Sequence, residues 1–235
     1  EQFARRAAEK AQGELSRLAL EDPLTGLPNR NALLDRLASI PPADSLALLF
    51  IDLDHFKVVN DTAGHAAGDT ILKIAAARIC TAVQPTGEVF RLSGDEFVAL
   101  CGMGQAESDL NPEVLAEQAA QRILDVLSAV FVIGDLRWFI GGSVGIAASH
   151  AGSARDSDQL IRNADVAMYE AKRQGRGRVR SFDQDLQEAI RNRHELENEI
   201  RVAIDRNEIE AAFQPVVHLD GHEVAGFEAL ARWRD

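Results

Sequence analysis

The chain has 235 residues, 46% of them hydrophobic and 26% charged, a composition that is ordinary for a globular protein of one or two domains. Its 25 basic and 37 acidic residues give a formal net charge of -12. This charge excludes non-specific nucleic-acid binding, which depends on neutralising phosphates. Its two cysteines are too few for a disulfide framework, and we expect a cytoplasmic protein.

The chain begins at Glu1 without an initiator methionine, and we expect it to be a fragment of a longer protein. The longest apolar run, Leu46–Ile51, is far shorter than the roughly 18 residues that span a bilayer. We therefore expect contact with a membrane only through a missing upstream region.

Residues 1–20 are rich in Ala, Glu, Arg and Leu. Small or apolar residues recur there at steps of three and four, which predicts a helix with a seam formed by Ala4, Ala8, Ala11, Leu15 and Leu18. An ordinary amphipathic helix fits this pattern. The end of a signalling helix that enters from an upstream sensor fits it too, and we favour that interpretation because the pattern reaches the first residue.

Further along the chain, predicted helices and strands alternate in mixed order. Hydrophobic periodicity predicts helices over residues 31–39, 69–84, 112–128, 157–174 and 182–206. It predicts strands over residues 45–53, 88–92, 97–101 and 136–148, with strand-like alternation over 209–233. Ser93-Gly94-Asp95-Glu96 lies between two short strands and predicts a hairpin turn. This order indicates an α/β or α+β domain of about 160 residues.

Several enzyme motifs are excluded. No lysine is followed by Ser or Thr, so there is no P-loop, and no histidine begins an H-E-x-x-H zinc motif. Gly141–Gly145 matches G-x-S-x-G, but a nucleophile elbow needs a strand, a sharp turn and then a helix. Here the strand pattern continues past Gly145, so we interpret these glycines as sites of close packing.

Two acidic segments point to chemistry. Asp52 and Asp54 end an apolar strand, and such a pair suits Mg²⁺, which prefers one or two carboxylates plus substrate phosphates. Acidic residues also end many strands without any such role. Residues 58–69 follow, and their Asn and Asp side chains could read the edge of a purine; a solvated loop capped by Asp69 is the alternative. The predicted turn adds Asp95 and Glu96 beside small residues that leave room for a ligand, although an acidic turn without function fits as well.

Four blocks together resemble a GGDEF domain, the diguanylate cyclase family. They are Leu24–Arg30, Asp52–Asp69, Ser93–Phe97 and Ala164–Arg176, in the family's order. The resemblance implies a GGDEF domain over 21–183, after the signalling helix of 1–20 and before a helical linker over 184–208. It implies an α/β (α+β) fold like the nucleotide cyclase palm, whose central, mostly antiparallel five-stranded sheet is flanked by helices.

The resemblance also implies an activity and a set of site residues. The family condenses two GTP molecules into cyclic di-GMP and pyrophosphate in a homodimer with Mg²⁺, for which Mn²⁺ can substitute. By position, the metal ligands are Asp52, the Leu53 carbonyl, Asp95 and Glu96. The resemblance implies that the catalytic residues are Asp95, which would accept a proton, together with Glu96 and Lys57. Substrate binding is carried over to Asn60, His65, Asp69, Lys172 and Arg176. Lys172 and Arg176 could instead be cations that stabilise a helix C-terminus.

The chain departs from the family pattern at two places. The first glycine of the name-giving motif is Ser93, which leaves activity less secure. The family's inhibitory R-x-x-D motif is replaced by Gln84 and Gly87, so we predict no product inhibition through that primary site.

The last 27 residues, 209–235, carry a second resemblance. Phe213–Val217 and Glu228–Trp233 look like the first two strands of an EAL domain, the family that hydrolyses cyclic di-GMP, and Glu228 matches a metal ligand there. This piece is too short to be active, and we expect a parent protein with tandem GGDEF and EAL domains. Three functions remain open: an active cyclase, a GTP-binding regulator of the EAL half without turnover, and a dimerisation scaffold.

Overall fold

The computed structural model describes residues 19–85, 87–102, 111–152, 156–220 and 223–234. The predicted seam of Ala4, Ala8, Ala11, Leu15 and Leu18 lies outside these residues. The chain divides into two units, the first ending at Asp183 and the second running from Gln184 to Asp235. Across the residues that the structure describes, no helix is both long and apolar enough to cross a membrane.

The first unit is built around a five-stranded mixed sheet. The described part of this unit has seven strands, of which five form the sheet and β4 and β5 form a separate hairpin. In chain order they are β1 (Leu46–Leu53), β2 (Gly87–Ser93), β3 (Glu96–Cys101), β4 (Phe131–Ile133), β5 (Leu136–Trp138), β6 (Gly142–Ser149) and β7 (Val179–Ser181). The sheet order is β2-β3-β1-β6-β7, in which β6 and β7 are parallel and the other neighbours antiparallel. The predicted mostly antiparallel five-stranded sheet is confirmed.

Helices cover both faces of this sheet. They are α1 (Arg30–Ser39), α2 (Phe56–Ala63), α3 (His65–Val83), α4 (Pro112–Ser128) and α5 (Ser157–Arg173). Alternate residues of β1 point to opposite faces, as strand geometry requires. Leu49 and Ile51 pack in a core with α3 and α4, whereas Leu48 and Phe50 pack in a second core with α1 and α5. Because both faces are covered, β1 is apolar from Leu46 to Ile51, and Asp52 lies near its carboxyl end.

Three sequence predictions differ from the structure. The strand predicted over 136–148 is two strands, since β5 pairs with β4 in a separate hairpin and only β6 joins the central sheet. The segment from Val58 to Asp69 is helical, because it contains α2 and the first turns of α3 on either side of Gly64. Asp69 therefore lies inside a helix and does not cap one. The strands β4 and β7 were not predicted, because three residues are too few to show a period.

Close packing between β6 and α5 explains why position 145 of the G-x-S-x-G sequence is a glycine. A Cβ atom added at Gly145 would lie 2.0 Å from the carbonyl oxygen of Ala164 and 2.2 Å from the amide nitrogen of Met168, both in α5. Strand β6 continues through Gly145, and Ser143 is fully buried. The arrangement is therefore not a nucleophile elbow, as the sequence analysis predicted.

The second unit consists of α6 (Gln184–Asp205) followed by a hairpin of β8 (Ile209–Val217) and β9 (Val224–Trp233). The two strands pair antiparallel along their whole length. Phe213 and Phe227 are 69% and 67% exposed. Most other side chains of both strands are also exposed, so neither face of this hairpin is buried within the described residues of the second unit. Two-stranded hairpins are only marginally stable alone, so a hairpin of this kind needs a further packing surface.

Candidate active site

The end of β1 and the turn between β2 and β3 lie side by side. Asp52 is directly opposite Glu96 in the β1–β3 register. The backbone amide of Leu53 donates to the carbonyl oxygen of Asp95 at 3.3 Å. Antiparallel pairing thus brings together acidic residues that lie more than forty positions apart in the sequence.

The surroundings of Asp52 disfavour its ionised form. The residue is only 6% exposed, and burial, more than any other cause, raises its pKa to about 6. The charges of Asp95 and Asp54 also raise this pKa, whereas Lys172 lowers it through a contact of 2.7 Å between its Nζ and Asp52 Oδ2. The cluster is short of positive charge, and an additional cation there would be stabilised.

The donor set fits Mg²⁺ only together with a phosphorylated ligand. Within the described ranges, no three Asp, Glu, His or Cys side chains converge closely enough to hold a metal ion by themselves. Mg²⁺ is usually bound by one or two carboxylates, with water and substrate phosphates completing its six ligands. Asp52, Asp95 and the Leu53 carbonyl could supply such a partial set, with Glu96 next to them.

The cations at the end of α5 reach the same cluster. Lys172 contacts Asp52, and the Nε atom of Arg176 lies 3.9 Å from Asp54 Oδ1. Arg176 is beyond the last residue of α5 and has a left-handed backbone, with φ of 60°. The structure therefore brings Lys172 and Arg176 to the carboxyl end of β1, which a role in stabilising the helix C-terminus does not by itself require.

The residues expected to bind the guanine lie on α2 and α3, and Lys57, expected to stabilise charge on the phosphates, lies on α2 as well. Lys57 and Asn60 are on α2, which follows β1 almost directly, and His65 and Asp69 are in the first turns of α3. Lys57, His65 and Asp69 are exposed, and Asn60 is half-buried. A Cβ atom at Gly68 would lie 2.0 Å from the Asn60 Oδ1 atom, so the absence of a side chain at Gly68 makes room for this amide.

The sequence pairs Asp54 with Asp52 as a carboxylate that suits Mg²⁺, and in the structure Asp54 is the most buried carboxylate near the site, at 3% exposure. Its Oδ1 accepts a hydrogen bond from Ser143 Oγ at 2.9 Å. Its Oδ2 accepts one from the backbone amide of Gly177 at 3.1 Å. The D-x-D spacing marks Asp54 in the sequence. Its partners Ser143 and Gly177 could not be predicted, because they lie in distant parts of the chain.

A family profile described as "Diguanylate cyclase, GGDEF domain" matches residues 19–178, which is more than half of the chain. The chain belongs to the GGDEF family. In this GGDEF domain the matched residues include β1, the β2–β3 turn and the end of α5, which together form the acidic cluster described above.

Relatives support the same assignment. The chain is 38% identical over 229 residues to the bifunctional diguanylate cyclase/cyclic di-GMP phosphodiesterase MucR of Pseudomonas aeruginosa, covering 95% of this chain and 32% of MucR. It is 36% identical over 228 residues to the cyclic di-GMP phosphodiesterase PdeR of Escherichia coli, covering 96% of this chain and 33% of PdeR. The chain thus spans about a third of the length of each.

A solved structure supports the fold. The GGDEF domain of TpbB, also called YfiN, from Pseudomonas aeruginosa is 35% identical and superposes with a TM-score of 0.63. The match covers 73% of this chain and 99% of that one. The GGDEF fold is therefore shared by the first unit.

The GGDEF turn of this chain contains a contact that glycine cannot make. Ser93 Oγ donates a hydrogen bond to Glu96 Oε2 at 2.9 Å across the turn. Gly94 has φ of 50°, a conformation that favours glycine, and nothing lies within 4 Å of a Cβ atom there. Serine thus fits the first position of the motif and ties Glu96 to the turn.

Arg91 supports the turn through hydrogen bonds on the side of β2. The sequence alone gave this residue no role. Arg91 is 7% exposed, and its Nη1 atom donates to Asp22 Oδ1 at 2.8 Å. Its Nε and Nη2 atoms donate to the carbonyl oxygen of Gly94 at 3.2 and 2.6 Å. The loop that begins with Asp22 is thereby linked to the residue preceding Asp95.

We expect Arg91→Ala to destabilise the GGDEF domain by about 3 kcal/mol, because it removes a buried guanidinium group that joins the half-buried Asp22 carboxylate to the Gly94 carbonyl oxygen. Urea unfolding followed by circular dichroism would measure this. Arg36→Ala is the matched control, since Arg36 pairs with Glu88 at the surface and should contribute less than about 1 kcal/mol. Equal effects of the two substitutions would show that Arg91 is not a structural support of the turn.

Proposed function

We propose that this GGDEF domain is a diguanylate cyclase that condenses two GTP molecules into cyclic di-GMP with release of pyrophosphate. The observation that carries the proposal is the meeting of Asp52 with the Asp95 turn, beside the ammonium group of Lys172 2.7 Å from Asp52. An acidic cluster bordered by cationic side chains suits a metal-loaded triphosphate.

The proposed metal ligands are Asp52, the Leu53 carbonyl, Asp95 and Glu96. Bound there, Mg²⁺ or Mn²⁺ would neutralise the triphosphate and lower the pKa of the attacking 3′-hydroxyl. Asp95 would accept the proton of this hydroxyl, and Lys57 would stabilise charge that develops on the phosphates. Asn60, His65 and Asp69 would bind the guanine, and Lys172 and Arg176 the terminal phosphates.

Two GGDEF domains have to face each other in this reaction, because each 3′-hydroxyl attacks the α-phosphate of the other GTP. We therefore propose that a homodimer is the active form. The rate per protein molecule should rise with protein concentration until the dimer is saturated, and then become constant.

Incubating the protein with GTP and Mg²⁺, followed by chromatography, tests the proposal. We expect cyclic di-GMP and pyrophosphate to form, and Asp95→Asn to form neither. Several protein concentrations should be used, so that a monomeric sample is not mistaken for an inactive one. A dimer that binds GTP but forms no cyclic di-GMP over hours would refute the cyclase proposal.

The second candidate is a regulatory domain that binds GTP without turnover and controls an attached EAL domain. Ser93 in place of the first motif glycine favours it, because the hydroxyl holds Glu96 in a hydrogen bond. PdeR, which is named as a phosphodiesterase, also aligns over nearly the whole chain. A protein that binds no GTP at all would instead support a dimerisation scaffold.

We further propose that the β8–β9 hairpin is the beginning of an EAL domain in a tandem GGDEF–EAL protein that acts in the cytoplasm, where GTP is supplied. The exposed Phe213 and Phe227 support this, because the hairpin alone buries neither of them. The name of MucR also combines both activities. We expect this chain of 235 residues to hydrolyse no cyclic di-GMP.

We expect added cyclic di-GMP to leave the initial rate unchanged within about twofold, because the primary inhibitory site has neither of its charges. Gln84 follows α3 and Gly87 begins β2. A Cβ atom at Gly87 would also lie 2.4 Å from the carbonyl oxygen of Leu100, so the position has no space for an acidic side chain. Initial rates at rising product concentrations measure this, and strong inhibition would contradict it.

A further inference from the structure

The loop after α5 has an unusual backbone. Gly175, Arg176 and Gly177 have φ values of 116°, 60° and 59°, so three successive residues are in the left-handed half of conformational space. For a residue with a side chain, such as Arg176, this conformation costs roughly 1 kcal/mol. The loop therefore needs contacts outside itself to keep this shape.

Asp54 supplies part of those contacts, in addition to the carbonyl oxygens of Lys172 and Ala171 in α5, which accept hydrogen bonds from the backbone amides of Gly175 and Arg176 at 3.3 and 3.1 Å. The Oδ2 atom of Asp54 accepts a hydrogen bond from the backbone amide of Gly177 at 3.1 Å, and its Oδ1 atom lies 3.9 Å from the Nε atom of Arg176. One carboxylate thus binds the loop through both its backbone and its cationic side chain. Arg176 remains half exposed at its side chain, so it can still contact a ligand.

Asp54 is itself fixed from the opposite side. Ser143 Oγ donates to its Oδ1 at 2.9 Å, and its own backbone amide donates to the carbonyl oxygen of Gly141 at 3.0 Å. The residue is 3% exposed. Because donors from β6 and from the loop already occupy its oxygens, Asp54 is engaged differently from Asp52, whose charge is met by a side-chain ammonium.

We infer that Asp54 is a positioning residue for the terminal phosphates of GTP, acting through Gly177 and Arg176 and not as a metal ligand. This inference rests on the proposed function, in which Arg176 binds those phosphates. Asp54 would fix the loop in the strained conformation that directs Arg176 toward the cleft. The guanine is assigned to α2 and α3, so the contribution of Asp54 should depend on the number of phosphates in the nucleotide.

Calorimetric binding of two nucleotides tests this. The first is 3′-deoxy-GTP, which lacks the attacking hydroxyl and cannot be condensed, and the second is GMP, which lacks the terminal phosphates. We expect Asp54→Ala to weaken the binding of 3′-deoxy-GTP by about tenfold or more, and the binding of GMP by less than about twofold. A role in general stability alone would not distinguish the two nucleotides.

Two further variants sharpen the test. Asp54→Asn keeps an oxygen that can accept the Gly177 amide but loses the charge that faces Arg176. We therefore expect its affinity for 3′-deoxy-GTP to fall by about threefold. Asp35→Asn, at an exposed position of α1, makes the same chemical change away from the loop and should alter the affinity for either nucleotide by less than about twofold. If Asp54→Ala does not fold, as circular dichroism would show, Asp54→Asn decides the question.

The inference is overturned if a folded Asp54 variant binds 3′-deoxy-GTP as the wild type does, or loses affinity for both nucleotides equally. A wild-type protein that does not bind 3′-deoxy-GTP with Mg²⁺ overturns the proposed function and this inference with it. Wild-type binding with no effect at Asp54 overturns the inference alone.

Discussion

Replacing Asp52 with asparagine is expected to reduce cyclic di-GMP formation by roughly a thousandfold while making the metal-free domain more stable. The loss of activity follows because an amide cannot replace the anionic ligand that the proposed metal site needs at the end of β1. Initial rates with GTP and Mg²⁺ measure it. Asp35→Asn, at an exposed position of α1, is the control for the same chemical change and should keep the wild-type rate.

The gain in stability follows from the pKa of Asp52. Burial, with the charges of Asp95 and Asp54, raises this pKa from 3.8 to about 6, so the folded domain holds the proton more tightly than the unfolded chain. Ionised Asp52 therefore costs stability, by about 3 kcal/mol at 1.36 kcal/mol per pKa unit. This cost is absent below pH 3.8 and fully present above about pH 6.

Asp52→Asn removes the carboxylate, so its advantage over the wild type should be largest at pH 7 to 8 and shrink as the pH falls through 6. Urea unfolding without metal or nucleotide, at pH 8.0 and at pH 5.5, measures the difference. A variant that is less stable than the wild type at pH 8.0 would show that the Lys172 contact outweighs the burial of the charge.

The sequence predicted long regular elements well and short ones poorly. The helix expected over 112–128 matches α4, because its amphipathic pattern is preceded by Asn111, which accepts the Glu113 amide, and starts with Pro112. The elements that were missed or merged are α2, β4, β5 and β7, which have eight residues or fewer. The three missed or merged strands have three residues each, too few for an alternation to stand out, and the eight residues of α2 make only about two helical turns.

The sequence supplied a proposal for the ligands of the site but none for the contacts that support them. The proposed metal and phosphate residues came from the family resemblance, and the structure gathers Asp52, Asp95, Lys172 and Arg176. The supporting contacts of Asp54 and Arg91 could not be predicted, because they join residues 89, 123 and 69 positions apart. Such partners become neighbours only through the order and register of the strands.

Gly145→Ala is expected to destabilise the first unit by more than about 3 kcal/mol or to prevent folding. The added methyl group would lie 2.0 Å from the carbonyl oxygen of Ala164 and 2.2 Å from the amide nitrogen of Met168. Both are backbone atoms of α5, so no side chain can rotate away and the helix as a whole would have to move. Urea unfolding followed by circular dichroism measures the loss.

Gly226→Ala is the matched control, because Gly226 also lies in a strand and nothing is within 4 Å of its added Cβ atom. We expect a change of less than about 1 kcal/mol there. If Gly145→Ala folds with α5 displaced, Lys172 moves with that helix, and its 2.7 Å contact with Asp52 should be lost along with affinity for GTP. A variant with wild-type stability and wild-type GTP affinity would show that the distance between α5 and β6 is not fixed by Gly145.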